Sequence, residues 1–231
     1  MATNQHSLIE VSNLTWGYPN SPSLIFDKFS LKLNKEDFMF VTGESWSGKT
    51  TLIKFLIRQL MPPRKTIFFQ REDISRYTPS EVQRYRRKIW VIFQDYKLVP
   101  WKSVWENVIL PLEAVGYKSD KAKEITTNIL RKVGLLSKKD VLVPYISGWE
   151  KQRVAIARAL TLSPQFLIAD EPTGNLDYKA AINIVELLLD LHREGNTILF
   201  ITHDKNLIDY ASKVISPKVI EIKKAVLAPV W

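Results

Sequence analysis

The segment Gly43-Glu-Ser-Trp-Ser-Gly-Lys-Thr50 constrains the fold of this chain more than any other part of it. It fits the pattern G-x-x-x-x-G-K-[ST], which connects a strand to a helix. The apolar run Phe38–Thr42 before it predicts a buried strand, and Thr50–Ile57 after it predicts the helix. Backbone N–H groups of such a loop, together with the helix N-terminus, bind anionic phosphate. We therefore expect an α/β unit in which Lys49 reaches the β- and γ-phosphates of a nucleotide and Thr50 ligates Mg²⁺.

A second apolar run, Phe166–Glu171, ends in two carboxylates. An uninterrupted apolar strand is typical of a parallel sheet that is buried on both faces. The carboxylates would then emerge at the carboxyl edge of the sheet, where ligands bind in open α/β folds. There Asp170 would hold Mg²⁺, mostly through water, and Glu171 would polarise the attacking water as a general base.

Further motifs follow in a fixed order along the chain. Gln94 ends an apolar run, Ser147–Arg153 leads into a helical pattern, Pro172–Asp177 follows the acidic strand, and His203 follows the last core strand. Together with the phosphate loop, these segments resemble the Q-loop, signature, D-loop and switch histidine of the ATP-binding cassette (ABC) family. The resemblance covers essentially the whole chain, and its motif set is highly specific.

The resemblance implies an α/β fold, a P-loop NTPase ABC cassette with a mainly parallel RecA-like core, an antiparallel β subdomain and a helical subdomain. Residues 1–231 would form a single ABC ATPase domain, with the helical subdomain at about residues 95–160 inserted in the α/β core. The pattern agrees, because Leu8–Ser12 and Phe29–Leu33 alternate like half-exposed antiparallel strands, whereas Glu124–Lys132 has the periodicity of a helix.

The resemblance also implies that two copies of the chain close face to face as a homodimer and sandwich two ATP molecules. Each composite site would pair the phosphate loop of one copy with the signature of the other, whose Ser147 hydroxyl and backbone N–H groups would bind the γ-phosphate. Gln94 would sense the γ-phosphate and the metal, while His203 and Lys49 would supply positive charge or hydrogen bonds. Asp177 would help to align the two sites across the dimer.

The predicted site residues form three sets. The catalytic residues would be Glu171, His203 and Gln94, and the Mg²⁺ ligands would be Thr50, Gln94 and Asp170. The residues that contact ATP would be Tyr18, Gly43, Glu44, Ser45, Trp46, Ser47, Gly48, Lys49, Thr50, Thr51, Ser147, Gly148, Trp149 and Asp177. Tyr18 would stack on the adenine, with Trp16 as a competitor for that role, and either aromatic could instead belong to the core.

Tryptophan stands at three positions where the family has glycine: Trp46 in the phosphate loop, Trp90 before the Q-loop, and Trp149 in the signature. The composition shows the same bias, with 8 Gly beside 7 Trp. Because a phosphate loop needs backbone conformations that glycine adopts most easily, we expect the residues at 46 and 149 to obstruct phosphate binding. The charged residues of the predicted site are all intact.

Two explanations fit this pattern of tryptophans. In the first, which we favour, an opal codon that the host reads as glycine has been translated as tryptophan, since genetic codes differ in this assignment. In the second, the tryptophans are genuine and the chain is an ATPase-impaired structural dimer that associates without ATP. Peptide mass spectrometry of the protein from its native host distinguishes the two.

The composition indicates where such a chain would work. It has no cysteine, so no disulfide contributes, and its first residues lack the charged start and apolar core of a signal peptide. No apolar stretch approaches the ~20 residues of a spanning helix, so membrane work would require an integral membrane partner. The net charge of +9 suits the anionic cytoplasmic leaflet. We expect a peripheral protein on the cytoplasmic face of the plasma membrane, with no nucleic acid partner.

Within the family, Phe93–Leu98, Val104–Val108 and Ala169–Asp177 most resemble the ATPases of a cell-division complex. Phe93–Lys97 is the best discriminator, because the ATPases of lipoprotein release and macrolide export share the D-loop but usually differ after the Q-loop glutamine. Asn107–Leu112 suits those exporters equally well, so they are the alternative. Soluble ABC proteins of DNA repair or translation usually fuse two cassettes or insert coiled coils, and this chain has neither.

Overall fold

The computed structural model describes residues 7–19, 23–44 and 46–223. Its strands are β1 (Ser7–Trp16), β2 (Phe26–Asn34), β3 (Phe38–Thr42), β4 (Ile67–Phe69), β5 (Glu72–Asp73), β6 (Ile89–Phe93), β7 (Phe166–Asp170), β8 (Thr197–Ile201) and β9 (Lys218–Glu221). Its α-helices are α1 (Lys49–Leu56), α2 (Pro79–Arg86), α3 (Val104–Ala114), α4 (Ser119–Lys132), α5 (Gly148–Leu160), α6 (Tyr178–Arg193) and α7 (Lys205–Ser212). Short 3₁₀ turns lie at Ile74–Arg76, Leu136–Lys138 and Val143–Tyr145.

Two sheets form the framework of the molecule. One has the strand order β2-β1-β4-β5, and each neighbouring pair is antiparallel. The other has the order β6-β7-β8-β3-β9, and each neighbouring pair is parallel. The predicted α/β fold, with a parallel core and an antiparallel sheet beside it, is confirmed.

The central strands of the parallel sheet are apolar throughout because both of their faces are covered. In β3, Met39 and Val41 pack in one cluster with α1 and the antiparallel sheet. Phe38 and Phe40 point to the opposite face and pack with α5, α6 and α7. All four side chains are at most 3% exposed. This alternation explains the near-continuous apolar run in the sequence, since in a strand successive side chains point to opposite faces.

Helices α3, α4 and α5 lie between β6 and β7 in the chain and enclose a third apolar cluster. Val104 of α3, Leu130 of α4 and Val154 of α5 are buried in it. The helix predicted at Glu124–Lys132 is confirmed as part of α4. The division into a single domain with a helical subdomain at residues 95–160 stays a prediction.

The carboxyl ends of β3, β7 and β8 meet at one edge of the parallel sheet, because β8 lies between the other two strands. Asp170 at the end of β7 pairs in register with Ile201 of β8, and Ile201 pairs with Val41 of β3. The loops after these three strands carry the phosphate loop, Glu171 and His203. The topology therefore brings motifs that are far apart in the sequence to one place.

Among the described residues, no helix is both long enough and apolar enough to cross a membrane.

Candidate active site

A cavity of about 740 Å³ opens at this edge of the sheet. It is lined by ten of the predicted site residues: Tyr18, Trp46, Gly48, Lys49, Thr50, Thr51, Gln94, Asp170, Glu171 and His203. Ile25, Lys54 and Gly174 also line it, and they were not predicted from the sequence. For Lys54 a signal was available, because a residue four positions after Thr50 lies on the same face of a helix.

The phosphate loop has a backbone that glycine adopts readily. Gly43 has φ +152° and Gly48 has φ +107°, and a Cβ on Gly48 would lie 2.5 Å from Cγ2 of Ile25. Lys49 Nζ donates hydrogen bonds to the carbonyl oxygens of Gly43, at 2.6 Å, and of Glu44, at 2.9 Å. A lysine ammonium has three donors, so these two bonds fix its position and leave one N–H for a ligand.

The phosphate loop also contains a buried serine, Ser47. This residue is only 2% exposed, and its hydroxyl has no hydrogen-bond partner within the described residues. A buried hydroxyl without a partner costs free energy. The glycine-dependent backbone and the remaining N–H of Lys49 are the features of the loop that fit a nucleotide phosphate. Ser45, predicted to contact the nucleotide, lies outside the described residues.

Trp46 combines a glycine-like backbone conformation with an exposed side chain. Its φ is +68°, in the left-handed region that favours glycine. Its indole, however, is 90% exposed and stands at the rim of the cavity. The expectation that Trp46 obstructs phosphate binding stays a prediction, because an exposed indole that lines the cavity can still reach a bound nucleotide. The backbone conformation explains why glycine would be preferred here.

The acidic pair after β7 is partly withdrawn from water. Burial, reinforced by the neighbouring Glu171 carboxylate, raises the pKa of Asp170 to about 6, although the Lys49 ammonium opposes the shift. Glu171 itself has φ +46°, and its N–H donates to the carbonyl oxygen of Ile201 at 3.0 Å. This turn at the end of β7 directs the Glu171 side chain towards His203.

His203 and Glu171 form a close pair that the sequence did not predict. The Nδ1 of His203 lies 2.9 Å from Oε1 and 2.8 Å from Oε2 of Glu171. With Nδ1 donating to the carboxylate, the Nε2 of the ring faces away and can donate to a phosphate only as imidazolium. The pair therefore fixes the orientation of two side chains that were predicted to act separately.

Gln94 is held by the segment predicted to be the D-loop. Its Nε2 donates to Oδ1 of Asn175 at 3.3 Å, and Nδ2 of Asn175 donates to the Gln94 carbonyl oxygen at 3.0 Å. A Cβ on Gly174 would lie 2.7 Å from the Gln94 Nε2, so a larger residue there would displace the Gln94 side chain. With its nitrogen engaged, the Gln94 side-chain oxygen remains as the group suited to a metal ion.

The two candidates for adenine stacking occupy different places. Tyr18 lines the cavity, is 41% exposed, and its hydroxyl lies 3.2 Å from Thr51 Oγ1. Trp16 lies behind it, with its ring 4.6 Å from Tyr18 and 5.1 Å from Phe55. The geometry therefore favours Tyr18 for contact with a base and Trp16 for the support of Tyr18.

Of the other predicted residues that the structure describes, Gly43, Glu44 and Ser47 belong to the phosphate loop without lining the cavity, and four more lie on other segments. Ser147 is the N-cap of α5, and a Cβ on Gly148 would lie 3.2 Å from Tyr96 Oη. Trp149 is 37% exposed, with the Arg153 guanidinium 5.0 Å from its ring centroid. Asp177 is the N-cap of α6 and accepts a hydrogen bond from the Ala180 N–H at 2.9 Å. The structure therefore does not bring these residues to the cavity of their own copy.

Comparisons with known proteins agree with this site. The profile of the family described as ABC transporter matches residues 26–174. The cell division ATP-binding protein FtsE is similar in Mycobacterium tuberculosis, at 35% identity over 87% of this chain and 88% of that protein. It is also similar in Escherichia coli K12, at 42% identity over 76% and 79%.

Two further comparisons extend this picture. The macrolide export ATP-binding/permease protein MacB of Chlorobaculum tepidum is 36% identical over 91% of this chain but only 33% of its own length. A dimeric ATP-binding cassette in a post-hydrolysis state, bound to ADP and Pi, has a TM-score of 0.79 at 26% identity and covers 94% of this chain and 96% of its own. With the phosphate loop, acidic pair and histidine gathered in one cavity, the chain belongs to the ABC transporter family as an ATP-binding and ATP-hydrolysing cassette.

Proposed function

We propose that this chain is the ATPase subunit of an FtsE-like cell-division complex, in which it drives an FtsX-like integral membrane protein. The similarity to FtsE of several bacteria supports this assignment, as does the segment Phe93–Leu98. The observation that carries the enzymatic part is the cavity in which Lys49, Asp170, Glu171 and His203 meet.

Nucleotide binding rests on the phosphate loop and on Tyr18. The remaining N–H of Lys49 supplies a donor for phosphate oxygens, beside the first N–H groups of α1. Tyr18 offers its ring to the adenine, while its hydroxyl stays tied to Thr51. The loop, the helix and the aromatic thus bind the two ends of one nucleotide.

Mg²⁺ fits the oxygen donors of the same cavity. Thr50, Gln94 and Asp170 supply a hydroxyl, an amide oxygen and a carboxylate, and Mg²⁺ usually combines one or two carboxylates with water and substrate phosphates. When bound, the ion would neutralise charge on the phosphates. A nearby cation would also favour the ionised form of Asp170, whose pKa burial raises to about 6.

Hydrolysis depends on Glu171 and His203 acting together as a contacting pair beside the reacting group. Glu171 orients the attacking water and accepts its proton, and its contact with His203 keeps the carboxylate in place. His203 presents Nε2 to the γ-phosphate, where a hydrogen bond stabilises the charge that develops. Because Gln94 is hydrogen-bonded to Asn175, a shift of Gln94 on metal binding would also move the D-loop.

The site is complete only when two copies associate. Ser147, Gly148, Trp149 and Asp177 lie outside the cavity of their own copy, which supports a role for them at the cavity of a second copy. The chain would act at the cytoplasmic face of the plasma membrane through its membrane partner. Its net charge of +9 suits contact with the anionic lipid surface, and we expect no nucleic acid partner.

A lipoprotein-release (LolD-type) or macrolide-export (MacB-type) ATPase is the second candidate. Asn107–Leu112 and the similarity to MacB favour it. An ATPase-impaired structural dimer is a third, and it requires that Trp46 and Trp149 are genuine.

Co-purification from the native host tests the assignment. The tagged chain is expected to retain an FtsX-like protein, and its ATP turnover should depend on Glu171. Retention of an exporter permease in place of an FtsX-like protein would refute the cell-division assignment while leaving the ATPase intact. The Glu171→Gln variant serves as the matched control for turnover, because it changes one charged oxygen and keeps the shape of the side chain.

A further inference from the structure

Glu150 is a buried carboxylate to which the proposed reaction assigns no role. It is the third residue of α5, and its side chain is 7% exposed. Its Oε1 lies 2.5 Å from Nζ of Lys138. Its Oε2 accepts two hydrogen bonds from Ser147, from the N–H at 2.9 Å and from the hydroxyl at 2.7 Å. An ammonium, a carboxylate and the signature serine are therefore linked in one continuous chain of contacts.

This chain of contacts connects two segments of the helical region. Lys138 ends the 3₁₀ turn that follows α4, whereas Ser147 and Glu150 belong to the start of α5. A second polar contact joins the same segments, since Nη1 of Arg153 donates to the Val133 carbonyl oxygen at 3.0 Å. The orientation of Ser147 thus depends on the segment after α4 as well as on its own helix.

The charge state of Glu150 agrees with this arrangement. Burial by itself would raise the pKa of Glu150, but hydrogen bonds from Lys138 and Ser147 outweigh it and hold the pKa below its ordinary value. An ionised, buried carboxylate without its cation would bind the single proton of the serine hydroxyl more strongly. Lys138 therefore determines how firmly Glu150 retains that proton.

We propose that Lys138 and Glu150 are positioning residues that hold the signature serine ready for the γ-phosphate of an ATP bound to a second copy. Glu150 fixes the Ser147 backbone and hydroxyl. Lys138 balances the carboxylate, so that the serine proton can turn to a phosphate oxygen when one arrives. This inference rests on the proposed function, because it requires the ATP-dependent association of two copies.

The test compares three variants, Lys138→Met, Lys138→Arg and Glu150→Gln. All of them carry Glu171→Gln to prevent hydrolysis. Each is prepared both with and without Trp46→Gly/Trp149→Gly. Light scattering after gel filtration with Mg·ATP measures the dimer, and a fluorescent ATP analogue measures binding to single copies. Lys138→Met and Glu150→Gln are expected to raise the protein concentration needed for dimerisation about tenfold, the effect of one charge-assisted hydrogen bond beside a half-exposed lysine. Lys138→Arg should restore association, and nucleotide binding to single copies should be unchanged.

Lys121→Met is the matched control, because Lys121 pairs with Glu124 on the exposed surface of α4. It should dimerise like the parent. Dimerisation of Lys138→Met and Glu150→Gln at the parent's concentration would overturn the inference while leaving the proposed function intact. A parent that does not dimerise with ATP in either background would refute the proposed function, and the inference with it. Should Lys138→Met fail to fold, Glu150→Gln decides, since it keeps an acceptor for the Ser147 N–H.

Discussion

Replacement of Trp46 by glycine and by alanine separates backbone strain from side-chain bulk. Trp46 has φ +68°, and a non-glycine residue in this region costs roughly 1–2 kcal/mol. Glycine removes that cost, but it increases the conformational entropy of the unfolded chain, which lowers the free energy of unfolding by ~0.5–1 kcal/mol. The indole is 90% exposed, so its removal sacrifices little buried surface. We therefore expect Trp46→Gly to be more stable than Trp46→Ala by about 0.5–1 kcal/mol.

Urea unfolding and thermal unfolding measure this difference. In a chain of this length, 1 kcal/mol corresponds to a change in Tm of roughly 2–4 °C. Trp101 provides the matched control, because it is 77% exposed and its φ is not positive. There the order should reverse, with Trp101→Ala more stable than Trp101→Gly by ~0.5–1 kcal/mol. The same order at both positions, with alanine more stable, would refute the argument that position 46 requires a left-handed backbone.

Further predictions concern the cavity. Without nucleotide, Asp170→Asn should gain stability over the parent as pH rises from 4 through 6, by up to about 3 kcal/mol, because the raised pKa of Asp170 means that its ionised form destabilises the folded state. Equal pH profiles in urea unfolding would contradict this. Tyr18→Ala should weaken ATP binding about tenfold and Trp16→Phe much less, measured by titration with a fluorescent analogue. A larger loss of ATP affinity in Trp16→Phe than in Tyr18→Ala would assign adenine stacking to Trp16 instead. Glu171→Gln should lower turnover by about 10²–10⁴ with ATP affinity retained, and parallel loss of both would place Glu171 in binding instead.

The residues that meet the nucleotide were predictable because their chemistry is local. The phosphate loop, the acidic strand and the histidine each sit where a strand ends, and parallel strands bring such ends together. Lys49, Asp170, Glu171 and His203 were therefore identified from the sequence and meet in one cavity. The parallel core could also be predicted, since its strands are apolar on both faces.

The contacts between these residues could not be predicted, because each depends on tertiary packing. The pairing of Glu171 with His203 joins residues 32 positions apart, and that of Gln94 with Asn175 joins residues 81 apart. The periodicity of helices and strands indicates contacts only between residues that are close in the sequence, so it does not predict these pairs. The exposure of the Trp46 indole could not be predicted for a related reason, since the motif indicates which residue is unusual but not which way its side chain turns.

ATP turnover by the chain with Trp46 and Trp149, compared with its Trp46→Gly/Trp149→Gly variant, shows whether the cavity hydrolyses ATP and whether the two tryptophans impair it. Both are measured with and without Glu171→Gln, over a range of protein concentration and with the co-purified membrane partner present or absent. We predict that turnover of the glycine variant exceeds that of the parent, rises with association of two copies, and disappears with Glu171→Gln. A glycine variant that hydrolyses no ATP even with its partner, or turnover that persists without the Glu171 carboxylate, would contradict it.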